Sequence, residues 1–304
     1  MINRLFTLTL VAGVLVLAAC GGSSSLPTDT GTPDGTVGAT VQGLKDNDLD
    51  QITKAIVRPA QMQQARSQWQ NELANMSDSE KQQFDQTMGM LTAEGAENTL
   101  YAMVEPKLQE AQQQLQFAAG MMGMVGMAID EQEELSADEK ASAKKFVGAL
   151  NGWLSKVQLT DTDTVKQAIA VACQTARALD VPNSSALQQL SFDQALTKGG
   201  EILGGAKQIL ALYDLDLNEV LESVEVGSPE VDGEQAKVPV SFTFQGEGFA
   251  FPVTLQKQDG RWVPPTPAAG PPAGAHSMTP GMGPDSSAPM TEPATEPATE
   301  PATE

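Results

Sequence analysis

Two acidic runs, a knot of methionines and two cysteines are the residues whose types and spacing could do chemistry in this chain. Asp46, Asp48 and Asp50 match the first three ligand positions of a calcium-binding EF-hand loop. Asp214, Asp216 and Asn218 match them too, with Glu225 at the twelfth. The glycine such a loop turns on is missing from both, since Gln51 and Glu219 hold its place, and Val57 replaces the bidentate glutamate of the first run. Helix caps on Asp48 or Asp50 and on Asp216 explain the same residues with fewer assumptions. No metal is expected at either.

Gly120-Met-Met-Gly-Met-Val-Gly-Met127 admits three readings. Thioethers from Met121, Met124 and Met127 can ligate Cu(I), here without a supporting histidine or cysteine. Alternatively Met121, Met122, Met124 and Met127 are pliable core filler, and glycines at three-residue spacing let another helix approach. In the third reading they form an adaptable surface for an apolar ligand or a partner helix. None of these requires a cofactor, and none is expected.

The single histidine, His276, lies in a Pro/Gly-rich stretch near the C-terminus. A Ser–His–acid triad, a Cys–His pair and a His-ligated zinc site are therefore not available to a folded core. Paired carboxylates survive this exclusion, as in glycoside hydrolysis. Such sites carry aromatic platforms, however, and only 5% of this chain is aromatic. A carboxylate-based hydrolase is thus the third hypothesis, behind two non-catalytic ones. The net charge of −21 opposes binding to nucleic-acid phosphates.

Cys173 sits beside the helical repeat Val165, Ile169, Ala172, Ala176 and Leu179, with no histidine near it in sequence, and reads as a small buried hydrophobe. Cys20 differs. Arg4 precedes an apolar run from Leu5 to Leu17, too short to span a bilayer, and small residues lead into the cysteine. Leu17-Ala18-Ala19-Cys20 resembles the lipobox of bacterial lipoproteins. The resemblance implies cleavage before Cys20, acyl chains such as palmitate on it, and anchoring in the bilayer. Gly21 after the cysteine implies sorting to the outer membrane, with the protein facing the periplasm.

The elements that must position these residues follow from periodicity. Residues 1–19 read as the signal peptide, and 20–43, rich in Gly, Ser, Thr, Pro and Asp, as a lipidated flexible tether. Residues 44–216 read as helical. Pro59 starts one helix, Ser77–Glu80 and Ser136–Glu139 are capping boxes, and Pro106 marks a kink or restart. Shorter helices follow the break at Val181-Pro182-Asn183. Residues 217–264 alternate as a three- or four-stranded antiparallel meander, with Asp232-Gly233, Gly246-Glu247-Gly248 and Asp259-Gly260 as turns. Pro239 and Pro252 make their strands edge-like or irregular. Residues 265–304 end in Thr-Glu-Pro-Ala repeats and read as a disordered acidic tail, either a spacer or a partner-contacting arm.

Val253-Thr-Leu-Gln-Lys-Gln-Asp-Gly-Arg-Trp262 resembles the last hairpin of periplasmic lipoproteins with an NTF2-like fold, over about 45 residues from Leu217 on. The expectation is an α+β protein, mostly helical, whose helices cover the apolar face of the meander. Its role is a non-catalytic binding or structural one in the envelope, with an unidentified envelope protein or a small apolar ligand as partner. A carrier requires a cavity between helices and sheet, lined by Phe242, Phe244, Phe249 and Phe251 together with the methionines. A scaffold requires those same rings to fill a solid core.

Overall fold

The computed structural model describes residues 26–132 and 135–265. Hydrogen-bonding side chains start most of its helices, because the first backbone amides of a helix have no partner within it. Thr32 accepts from Gly35 N ahead of α1 (Pro33–Asp46), and Asp48 from Gln51 N ahead of α2 (Leu49–Ile56). Pro59 opens α3 (Pro59–Ala74). Both expected capping boxes form, Ser77–Glu80 on α4 (Asp78–Thr92) and Ser136–Glu139 on α7 (Ala137–Leu154). Between them, a single 3-10 turn around Pro106 separates α5 (Ala96–Val104) from α6 (Leu108–Asp130), the expected restart.

Asp161, Asn183 and Ser191 cap α8 (Thr162–Ala178), α9 (Ser184–Gln188) and α10 (Phe192–Ala211). The sequence pattern suggests separate short helices around Phe192–Leu196 and Ile202–Leu212, whereas α10 runs unbroken through both. Its glycines are seats for neighbouring chain rather than breaks: a Cβ on Gly200 would stand 2.0 Å from the Asn47 carbonyl oxygen. Asp216 caps α11 (Leu217–Glu222) through Asn218 N and Glu219 N, so the helical part extends past 216 and the sheet begins at Glu225.

The sheet is antiparallel and has five strands rather than three or four. β1 (Glu225–Val226) and β2 (Glu230–Asp232) share one edge of β3 (Gln235–Phe244), followed by β4 (Glu247–Gln258) and β5 (Arg261–Val263). The β3–β4 turn lies one residue earlier than the sequence suggests, on Gln245 and Gly246 with φ of 51° and 76°. Left-handed values at both central residues match the right-handed twist of the strands they join.

Pro239 and Pro252 face each other inside the β3–β4 ladder. Pro239 lies where β1 and β2 leave a gap on the other side of β3, and Gly227 N donates to its carbonyl at 2.7 Å. Pro252 lies before the part of β4 that pairs with β5. The missing N–H groups therefore fall where no ladder partner exists. The expected irregularity resides in the neighbours of these prolines, not in their own strands.

One face of the sheet carries Val238, Val240, Phe242, Phe244, Phe249 and Leu255, all buried. Val37 and Val41 of α1 pack into that cluster, joined by Leu26, Phe146 and Trp153 at its margin. This overturns the tether reading of residues 20–43 wherever they are described. α1 buries Gly35, Thr36, Val37, Gly38, Ala39, Thr40 and Val41. Thr36 Oγ1 donates to the Trp262 carbonyl at 3.3 Å, which pins the first helix to the last strand. A composition poor in large apolar residues suggested a linker. Instead, small side chains let α1 lie close to the backbone around it.

Candidate functional site

The methionine stretch is the last third of α6, and it is not core. α6 packs through Leu108, Ala111, Leu115, Ala119, Met122 and Ile129, the face along which it meets α7. At 100° per residue, Phe117, Gly120, Met124, Met127 and Ala128 fall on the far side, with Met121 toward its edge. Phe117 is 71% exposed, Met124 60% and Met127 61%, while Met121 and Met122 are half-buried. No ionisable residue occurs between Glu110 and Asp130. A helical stretch apolar on all sides, as residues 117–129 are, is ordinarily enclosed; this one is enclosed on one side only.

α7 holds α6 to the body of the protein. Phe146 sits among the sheet's rings, its centroid 5.8 Å from Phe242, 5.6 Å from Phe244, 5.4 Å from Phe249 and 6.5 Å from Phe251. The contacts to Phe249 and Phe251 are near edge-on, the arrangement aromatic quadrupoles prefer. Lys145 places its ammonium 5.0 Å from the Phe249 ring and 3.3 Å from Glu247. Further along α7, Trp153 Nε1 donates to the Tyr213 carbonyl at 2.7 Å. Sequence periodicity placed Phe146 on an apolar helix face but did not identify it as the keystone between helix and sheet.

The two halves of the proposed apolar site are therefore apart. Phe242, Phe244 and Phe249 are closed around Phe146. Phe251 borders a different, open groove of about 280 Å³ with Leu135, Glu139, Lys237 and Thr254. The methionines border a groove of about 320 Å³ between α6 and α7, lined by Met122, Gly123, Gly126, Met127, Gly148 and Asn151. A Cβ added at Gly123, Gly126 or Gly148 would meet nothing within 4 Å. Asn151 Oδ1 is buried there without a hydrogen-bond partner, and the Lys144–Asp130 ion pair stands at its rim.

The acidic runs cap helices and pair with neighbouring side chains. Asp48 and Asp216 are helix caps, Asp50 pairs with Lys54, and Asp46 accepts from Gln42 at 2.8 Å. Among the described residues, no group of three or more His, Cys, Asp or Glu side chains is placed to hold a metal ion.

Carboxylates with displaced pKa values move downward. Hydrogen bonds from Ser77 lower Glu80, the Arg177 guanidinium lowers Glu97, and bonds from Ser136 and Thr164 lower Glu139 and Asp161. A general acid at neutral pH needs the opposite displacement. Burial raises the Cys173 thiol, whose residue is fully enclosed, so its thiolate is disfavoured. Cys20 and His276 lie outside the described residues, as does the expected tail from residue 266 on. Comparison of the chain with protein-family models, with curated proteins and with solved structures gives no match.

Proposed function

We propose that this chain is a non-catalytic lipoprotein of the bacterial envelope, anchored through acylated Cys20, whose binding surface is the uncharged outer face of α6. The observation that carries this reading is the exposure of Phe117, Met124 and Met127 on a helical stretch, residues 111–129, without an ionisable side chain, in a chain of net charge −21. Phe146 stands where a carrier's cavity would require empty space, which weighs against an internal apolar ligand. The outer membrane and the periplasmic side follow from the lipobox resemblance and Gly21.

Fractionation of cells producing the full chain tests the anchor: Cys20→Ala releases the protein from the membrane fraction, and retention there refutes it. Exchange of Phe117 and Met124 for glutamate tests the surface. It should abolish whatever co-purifies with the wild-type chain while leaving its melting temperature nearly unchanged.

A further inference from the structure

We infer that the outer face of α6 lies on the bilayer itself, as a second membrane contact beside the lipid anchor. The inference rests on the acylation of Cys20 proposed above.

Two observations select this occupant. The first is chain length. Leu26, the first described residue, packs against the sheet's core cluster, and α1 follows from Pro33. Residues 20–25 alone separate that point from the acyl cysteine, and six residues at full extension reach only about 20 Å. A tether running to residue 43 would have let the domain roam; this one holds it against the headgroups. Phe146 of α7, the helix that carries α6, borders the same core cluster as Leu26.

The second observation is charge. Two copies of a chain with net charge −21 repel each other, whereas a zwitterionic headgroup layer has no net charge to oppose approach. The contacting face presents none of its own, since residues 111–129 contain no ionisable side chain. Phe117, Gly120, Met124 and Met127 span about a quarter of the helix circumference, the form of a helix lying in the interfacial plane. No helix among the described residues is long and apolar enough to cross a membrane, so α6 rests on the bilayer and does not span it. Interfacial helices commonly carry lysines and draw on anionic lipid. This one does not, so its contact should be insensitive to salt and to lipid charge. Tethering raises the local concentration of bilayer around the face, so a contact too weak to bind free protein still forms.

The full acylated chain, reconstituted into vesicles of phosphatidylcholine and phosphatidylethanolamine, tests this. An environment-sensitive fluorophore is attached in Met124→Cys and, for comparison, in Val231→Cys, an exposed site on β2. Cys173 is enclosed and Cys20 acylated, so neither takes the label. The label at position 124 should shift to the blue, lose emission to quenchers carried on acyl chains, and resist aqueous iodide at low and high salt alike. The label at 231 should do the reverse. Iodide quenching at 124 equal to that at 231 overturns the inference. So does a label at 124 shielded from both quenchers, which marks a second copy or another protein on the face. The intact mass of the same preparation reports acylation independently. An unacylated chain overturns the anchor and the inference together, whereas an acylated chain with a wet position 124 overturns the inference alone.

Discussion

The carbonyl oxygen of Pro27 lies 1.9 Å from the point that a Cβ on Gly38 would occupy. The segment entering the fold and the helix that follows it thus touch backbone to backbone, which only glycine permits at that position. Gly35 repeats the arrangement against Asp29, where the clearance is 1.8 Å.

Gly38→Val should therefore displace residues 26–29 from α1 and cost about 1–3 kcal/mol through overpacking. Gly123→Ala, made on α6 where a Cβ meets open space, should instead stabilise by up to about 1 kcal/mol through helix propensity. Equilibrium urea unfolding of the two variants separates them: the midpoint should fall for the first and rise for the second, with little change in slope. A harmless Gly38→Val would mean that the entering segment is not packed.

Phe146→Ala should cost about 3–5 kcal/mol, the range for removing a large ring from a packed site. The loss should appear first between hairpin and sheet, because the ring contacts Phe242, Phe244, Phe249 and Phe251 together. Limited proteolysis should then cut near α7 well before the sheet yields. A variant that unfolds at the wild-type denaturant concentration would contradict the keystone role.

Lys207 is buried in α10, and its ammonium donates to the carbonyls of Leu44 and Lys45 at the end of α1. Burial pushes its pKa below 10.5, with Asp46 and Asp216 acting in the opposite direction. Between the lowered folded value and 10.5 the unfolded chain binds more protons at this site, so the lysine's net contribution grows as pH rises through that window. Lys207→Met, which strands the two carbonyls, should be destabilised by about 1–3 kcal/mol at neutral pH. Its deficit relative to wild type should widen as pH climbs toward 10.5. Melting temperatures of both proteins across that range check the sign, and a narrowing gap would reverse the assignment.

Glu80 is lowered by the hydrogen bonds of Ser77, and its stabilising effect is present above the ordinary glutamate value of 4.5 and lost as pH falls through the folded value. Ser77→Ala should lower the melting temperature at neutral pH. The gap from wild type should close in acid as the cap loses its charged half. A gap that persisted unchanged below the carboxylate range would place the serine's role elsewhere.

Cys173, enclosed on α8 with its thiol pushed up by burial, should not react with a thiol reagent in the native protein. Modification should proceed at the rate of global unfolding, followed by mass spectrometry against a hydrogen-exchange clock. Reaction without unfolding would expose a local opening of α8.

Much of the fold was legible because its signals are local. Ser77 with Glu80 and Ser136 with Glu139 announce helix starts by themselves, and the alternation from Val238 to Phe244 announces one buried face. α1 was not legible. Its buried positions are Gly, Thr, Ala and Val, whose value lies in nearness to Pro27, Asp29 and Trp262, and those neighbours are not visible in a window of sequence. α10 misled for the same reason, since Gly200 reads as a break until Asn47 is seen seated on it. At the candidate site, spacing identified the methionines as unusual but could not say which side of an all-apolar helix faces out. That is decided by α7, whose Phe146 is fastened to rings about a hundred residues away.

The bond from Thr36 to Trp262 joins residues 226 positions apart. For a chain that emerges N-terminus first, α1 has no strand to lie on until nearly the whole domain has been delivered. Long-range closure of this kind is slow and leaves apolar surface uncovered meanwhile. Folding of this protein is accordingly gated by the arrival of β5, and truncations that remove Trp262 should accumulate as protease-sensitive chains.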